Sequence, residues 1–278
     1  MLLTLLMFRR GFYRPFMILE NKNILVIGGS GGIGRAACMA FLQEGASVFA
    51  SGLGPMENLS VKPVRFTYME ADAGSESAVE RVLTEASTTL GQIHGLYHIA
   101  GGSGRKAGDG PLHLLSLEGW DYTLNLNLRS IMLSNRALIR YWMDHKLPGV
   151  ILNMGSVLAT APSAHFFSTH AYAAAKAGVE GFSRSIAAYY AKSNIRVNVI
   201  APGLIATGMS TRAQEDPAIQ AFIKTKQPLD GGRMGKPEDC AGTAAFLLSD
   251  LSSFISGEVI HVDGGWQLSD GQYITNNI

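Results

Sequence analysis

A chain of 278 residues, 47% hydrophobic and only 16% charged, has the make-up of one globular domain with a large buried interior, which excludes a disordered or fibrous protein. Its 23 basic residues are balanced by 22 acidic ones, so no sign-biased surface serves nucleic acid or an anionic membrane, and a small-molecule ligand is expected. The 32 glycines, well above the ~7% of ordinary composition, point to turns defined by backbone geometry.

The chain opens with MLLTLLMF, followed by Arg9, Arg10 and Arg14. A secretory signal places its charges before the apolar run, and a spanning helix needs about 20 apolar residues, so neither is expected, nor is stable membrane insertion. Residues 1–17 read as an N-terminal extension, either disordered or a misassigned start, with a peripheral anchor as the other reading; residues 18–278 read as a single domain.

From Asn23 onward, apolar stretches of strand length at 24–28, 47–51, 64–69, 95–100, 150–154, 196–201 and 258–262 alternate with segments of helical period at 33–43, 76–90, 117–143, 172–192 and 238–248. This alternation predicts a doubly wound α/β domain with a seven-stranded, mostly parallel sheet and helices on both faces. Residues 203–236 show no period and are too long for an idle connection, so they are expected to form a substrate lid. Cys38 and Cys240 fall in separate helical segments without a CxxC or His/Cys cluster, which predicts buried free thiols, a reducing, cytoplasmic setting and no metal site.

Between the first strand and first helix lies Gly28-Gly29-Ser30-Gly31-Gly32-Ile33-Gly34. Glycines there allow a sharp turn and bring a pyrophosphate close to the free N–H groups of a helix N-terminus, the arrangement of a Rossmann-type dinucleotide site. A plain flexible loop is the competing reading of such a segment. Tyr172 and Lys176, at i and i+4, share one helix face. They form either a surface pair or a general acid/base, since an ammonium beside a phenol favours the phenolate. Ser156 follows the strand at 150–154, at the carboxyl edge where ligands bind in open α/β sheets; taken alone, it also reads as a turn or helix cap.

Together, Gly-x3-Gly-x-Gly, Asn127 in WDYTLNLNL, Ser156, Tyr172-x3-Lys176, Pro202-Gly203 and the closing VDGGW resemble the short-chain dehydrogenases/reductases from residue 18 to about 268. The resemblance implies an NAD(P)-dependent enzyme that interconverts a carbonyl and a secondary alcohol by hydride transfer. Tyr172 would be the general acid/base. Lys176 would lower its pKa and hold the nicotinamide ribose, Ser156 would orient the carbonyl, and Asn127 would support a water relay from Lys176. The expected cofactor surface comprises Gly28, Ser30, Gly31, Gly32, Ile33, Gly34, Ser51, Asp72, Ala73, Ala100, Gly101, Tyr172, Lys176, Pro202, Gly203, Ile205 and Thr207, with Asp72 at the adenine and Thr207 near the carboxamide. A non-catalytic nicotinamide-binding regulator, or a dehydratase or epimerase using the same Tyr/Lys pair, are the alternatives.

The chain departs from the family pattern in several places. Ile27 stands in place of a threonine before the first motif glycine, and His98-Ile99-Ala100-Gly101 in place of Asn-Asn-Ala-Gly, which puts local structural support in question. The stretch at 157–171 is long, offering His165, Phe166, Phe167 and His170 as pocket lining, with exposure to solvent the other reading for the two histidines. Arg105 and Lys106 would meet an anionic substrate or simply be solvated. The second strand ends at Ser51-Gly52-Leu53 with neither a carboxylate nor a basic clamp, and Arg35 is the nearest cation, so dual cofactor use with a slight lean to NADP(H) is expected. Leu126, Ile131, Phe182, Ile186 and Tyr189, on more than one face of their helices, predict a homo-oligomer, a tetramer.

Overall fold

The computed structural model describes residues 17–56 and 64–272, so the expectations for residues 1–16 lie outside the described residues. Strand β1 (Asn23–Ile27) leads through helix α1 (Gly32–Gln43) to β2 (Ser47–Gly52). Next come β3 (Phe66–Glu70), α2 (Glu76–Leu90) and β4 (Gly95–His98). Helices α3 (Leu117–Leu124) and α4 (Ser130–His145) then precede β5 (Gly149–Met154). Helix α5 (His170–Tyr190) and β6 (Ile195–Pro202) follow. The chain closes with α6 (Thr211–Glu215), α7 (Pro217–Lys226), α8 (Pro237–Leu248) and β7 (Val259–Val262).

All seven strands join one parallel sheet in the order β3-β2-β1-β4-β5-β6-β7, the doubly wound Rossmann-type arrangement expected from the β/α alternation. Period-two alternation divides the core. Leu25, Ile27 and Leu96 face α2, α4 and α5 with Val82, Leu138 and Trp142. Ile24, Val26 and Tyr97 face α1 and α8 with Phe41, Ala244 and Leu248. Each fully buried large apolar side chain contributes roughly 1.5–3 kcal/mol of transfer free energy. Leu19 is buried in the same layer, and its amide donates to the Glu44 carbonyl at 2.9 Å. Cys38 and Cys240 are buried free thiols, and burial raises both to about 12.

Two expectations about helices need correction. The segment 117–143 is helical throughout but not regularly so: a π-turn at Asn125–Arg129, centred on the buried Asn127 and flanked by right-handed helical backbone, joins α3 to α4. No glycine or proline marks the irregularity, because it is made by side chain-to-backbone bonds described below. Residues 203–236 are not irregular either. They contain α6 and α7, the latter started by the Asp216 side chain, which accepts from the Ala218 and Ile219 amides ahead of Pro217. Strand and helix ends otherwise shift by at most two residues from expectation.

The sheet's carboxyl edge positions the site. Ile27 lies in register with Ser51 on one side and with His98 on the other, so three strands end together where the strand order reverses.

Candidate active site

The glycine turn is built by its neighbours. The amides of Gly28 and Gly29 donate to the Ser51 carbonyl at 2.7 and 2.8 Å. Gly28 has φ +97°, and a Cβ there would lie 2.5 Å from the Ala100 nitrogen, so only glycine fits. No side chain caps α1 at Gly31 and its first turn holds no acidic residue, which leaves its positive end suited to an anion. A Cβ on Gly32 would meet Thr207 Cγ2 at 3.0 Å, which places Thr207 across the turn. Gly34 packs on the Gly28 carbonyl. Ile33 is half-buried against the core.

The remaining expected cofactor residues lie at or just after the carboxyl ends of β1, β2, β3 and β6. Ser30 Oγ donates to the Leu53 carbonyl at 3.2 Å, and Leu53, at the end of β2, is exposed. Ser51 itself is buried. Asp72 is exposed and accepts from the Gly74 amide at 2.8 Å, while Ala73 packs on the core. Pro202 pairs with Val262, and the Gly203 amide donates to the Val262 carbonyl. Ile205 is buried and bridges to Gly235.

Tyr172 lies in the first turn of α5 and Lys176 one turn later, with its Nζ 5.6 Å from the phenol ring centroid. Lys176 Nζ donates to the Met154 carbonyl at 2.8 Å, tying the helix to the carboxyl end of β5. Burial lowers its pKa to about 7. Burial pushes the Tyr172 phenol up, and its hydrogen bond with Ser156 pulls it part of the way back. Ser156 is buried, and its Oγ also accepts from the Leu158 amide at 3.2 Å. Serine, phenol and ammonium therefore converge within one turn of helix and one strand end.

Asn127 completes the group in an unexpected manner. Its Oδ1 accepts from the Gly102 amide at 3.0 Å, and its Nδ2 donates to the carbonyls of Gly102 and Thr123 at 2.8 and 2.9 Å. The carboxamide thus clamps the turn after β4 and helps make the π-turn. Gly101 sits between Asn127 and Lys176: a Cβ there would lie 2.7 Å from Asn127 Oδ1 and 3.4 Å from Lys176 Nζ.

His98 is a fully buried replacement with partners of its own. Its Nδ1 pairs with Ser134 Oγ at 2.7 Å and its Nε2 with Ser130 Oγ at 3.4 Å. Burial, reinforced by the nearby Lys176 charge, lowers its pKa to about 3, so the ring stays neutral. The local support left in question by this departure is supplied by the two serines of α4.

The rim is formed by segments whose partners are distant in sequence. Phe166 and Phe167 pack with Phe222 and Trp266 rather than standing free in a pocket, and Trp266 Nε1 donates to the Ala161 carbonyl at 3.0 Å. His165 and His170 are exposed, as are Arg105 and Lys106. Partial desolvation and the nearby Arg212 lower the pKa of Arg105, and Asp109 opposes them. Two buried side chains were not singled out from the sequence. Gln227 Oε1 accepts from the Leu204 amide at 2.5 Å, pinning the chain after Gly203. Asp109 accepts from the amides of Ala171 and Tyr172. Asp109 sits in GDGP, which reads as a turn, and Gln227 precedes a proline; neither carries a local signal of a partner tens of residues away.

Among the described residues no group of His, Cys, Asp and Glu could hold a metal ion, and no helix is long and apolar enough to cross a membrane.

Comparison with known proteins gives the chain's family and fold. The family model described as enoyl-(acyl carrier protein) reductase matches residues 28–267. The chain is 32% identical to 3beta-hydroxysteroid dehydrogenase 1 of Eggerthella lenta, over 91% of this chain and 96% of the relative. It is 34% identical to 2-(S)-hydroxypropyl-CoM dehydrogenase 3 of Xanthobacter autotrophicus, over 89% and 97%. A solved short-chain type dehydrogenase/reductase from Mycobacterium ulcerans superposes with a TM-score of 0.81 at 30% identity, covering 90% of this chain and 91% of that one.

Proposed function

The chain belongs to the short-chain dehydrogenase/reductase family and is an oxidoreductase, and on that premise we propose that it interconverts a carbonyl and a secondary alcohol with NAD(P)(H), using Tyr172 as the general acid/base. The observation that carries the reading is the meeting of Ser156, Tyr172 and Lys176 at the carboxyl ends of β4 and β5, beside a glycine turn with an uncapped helix N-terminus. That turn fits a dinucleotide: its glycines keep the backbone open, and α1 presents its positive end to the pyrophosphate. The cofactor supplies or accepts the hydride. The remaining chemistry belongs to the chain's own residues.

In the direction of reduction, the Ser156 hydroxyl orients the substrate oxygen and the Tyr172 O–H gives it a proton. The phenol, raised by burial, is protonated at neutral pH and so is ready to donate. The phenolate left behind is stabilised by Ser156 and by the cationic form of Lys176, which also holds the nicotinamide ribose. Lys176, brought to about 7 by burial, exchanges protons readily near neutral pH. Asn127 supports the proton path by holding Gly102, and with it the neighbouring Gly101 beside Lys176. With neither a carboxylate nor a basic clamp at Leu53, both cofactors are accepted with a slight lean to NADP(H).

The substrate is a small molecule, and the protein is a cytoplasmic homotetramer. The support for assembly differs from the sequence argument. Ile131 is core, and Leu126, Phe182 and Ile186 are largely or partly covered within the subunit, so of those five only Tyr189 is exposed. Exposed Leu112, Leu114, Leu117 and Tyr122 lie just before and within α3 and offer the apolar surface instead. A sedimentation profile of a stable micromolar monomer would contradict assembly.

Absorbance of reduced nicotinamide, followed across a panel of ketones and secondary alcohols with each cofactor at near-neutral pH, tests the proposed reaction. Stoichiometric conversion of cofactor is expected. Turnover without net cofactor change would indicate a dehydratase or epimerase, and binding without turnover a regulator.

A further inference from the structure

Helix α5 carries both Tyr172 and Lys176, yet its own N-cap residue, Thr169, makes no side-chain capping bond. The cap comes from 62 residues earlier. Asp109 Oδ1 accepts from the Ala171 amide and Oδ2 from the Tyr172 amide, both at 3.0 Å, and the residue is 3% exposed. One of the two bonds is therefore made to the backbone of Tyr172 itself. A carboxylate here satisfies two of the free amides of the first turn and complements the positive end of the helix.

Asp109 is itself held in place. Its amide donates to the Gly104 carbonyl at 3.1 Å, and Gly108 before it has φ +104°. Gly108 lies on the N-terminus of α3: a Cβ there would come within 2.5 Å of Ser116 Oγ, the side chain that caps α3. Gly119 in α3 is equally close, since its Cβ would lie 2.6 Å from the Gly108 carbonyl carbon. The loop after β4 is thus fastened to α3 at one end of this turn, and through Asp109 to α5 at the other.

We propose that Asp109 is a positioning residue for the reaction: by gripping the amides of Ala171 and Tyr172 it sets the first turn of α5, and with it the phenol's place against Ser156. The proposal rests on Tyr172 being the acid/base. A phenol at the third residue of a helix moves with that turn, and the first turn is the part of a helix most prone to fray. Displacements of about an ångström at a reacting group cost up to ~100-fold in rate. Lys176, one turn further in and fixed to the Met154 carbonyl, is held independently, so cofactor binding is expected to survive loss of the grip.

The test is Asp109→Asn, which keeps the shape but turns one acceptor into a donor facing an N–H. Three quantities are measured: amide hydrogen exchange of Ala171 and Tyr172 without cofactor, the dissociation constant of reduced cofactor, and kcat with KM for substrate. Exchange at the two amides is expected to quicken at least tenfold and kcat to fall at least tenfold, with cofactor affinity and substrate KM changing less than threefold. Quickened exchange with unchanged kcat would reduce Asp109 to a plain helix cap and overturn the proposal. So would a common loss of kcat, cofactor affinity and melting temperature, which marks a general structural role. A measurement on the unaltered chain guards against a variant that does not fold: if the Ala171 and Tyr172 amides exchange as fast as that of His170, the grip is absent. Failure of the underlying reading appears separately, as a Tyr172→Phe variant that retains turnover while the exchange result stands.

Discussion

The glycine turn and the rim lie at the same sheet edge but are made in different ways. The turn at Gly28–Gly34 is held through backbone: the Gly28 and Gly29 amides donate to the Ser51 carbonyl, and Gly28 and Gly34 leave no room for a side chain. The rim at 101–113, 157–169 and 203–236 is assembled from single side chains reaching far along the chain: Asp109 to α5, Gln227 to Leu204 and Trp266 to Ala161. A device made of backbone admits no side chain at its tightest positions, whereas one made of side chains yields through its partners. On the proposed function, binding of the cofactor is thereby separated from the part that selects substrate.

The sharpest way to break this comparison is within the turn. Gly28→Ala combines a positive φ with a clash on Ala100, strain and overpacking of ~1–3 kcal/mol each, and is expected to destabilise by roughly 2–6 kcal/mol. Gly31→Ala is the control. Its φ is −73°, and a Cβ there meets only the Gly28 carbonyl oxygen at 3.5 Å, so stability should change by less than about 0.5 kcal/mol. Cofactor affinity should nevertheless fall about tenfold or more, because the new methyl lies where the pyrophosphate approaches. Denaturant unfolding and cofactor titration read the two effects.

In the rim, Trp266→Ala removes a side chain that is 1% exposed and is expected to cost about 3–5 kcal/mol by denaturant unfolding. Substrate KM should rise while the cofactor dissociation constant stays within threefold, since the cluster of Phe166, Phe167 and Phe222 around it does not include the glycine turn. Equal damage to cofactor binding would show that rim and turn are not separable.

Lys176 links the two regions and gives a pH signature. Its folded-state pKa of about 7 lies below the ~10.4 of an unfolded lysine, so between these values the unfolded chain binds more protons and stability rises with pH. The stability of the native chain relative to Lys176→Met should therefore climb from pH 7 towards about 10 and level off below 7. A flat difference would mean that the ammonium is not desolvated.

The smallest expected effect concerns the 2′ position. Dissociation constants for NADH and NADPH should differ by no more than about tenfold, or ~1.4 kcal/mol, because nothing at Leu53 repels or clamps a phosphate. A hundredfold difference would reveal a reader at that position, Arg35 being the first to test.

What was legible in the sequence follows the same division. The seven strands, the glycine turn and the Tyr172/Lys176 pair rest on period and short-range spacing, and they meet at one edge in the structure. The π-turn at Asn127 escaped because its cause is a carboxamide bonded to Gly102, 25 residues away. Helix α7 had its signals, Asp216 before Pro217, but its apolar residues pack on the rim cluster rather than the sheet, which blurred the pattern. Ile131 read as surplus apolar surface because a buried face towards α5 and β6 looks the same as one awaiting a second subunit. Asp109 was invisible for the reason that makes it interesting: its partners are backbone amides, and backbone leaves no residue type to recognise.

The proposed acid/base role of Tyr172 is tested most directly by one measurement: turnover and cofactor binding of Tyr172→Phe side by side. That role predicts a loss of at least about 100-fold in kcat, within the 10²–10⁴ of general acid/base catalysis, with the dissociation constant of reduced cofactor unchanged within threefold. Retention of more than about a tenth of the native rate would contradict it.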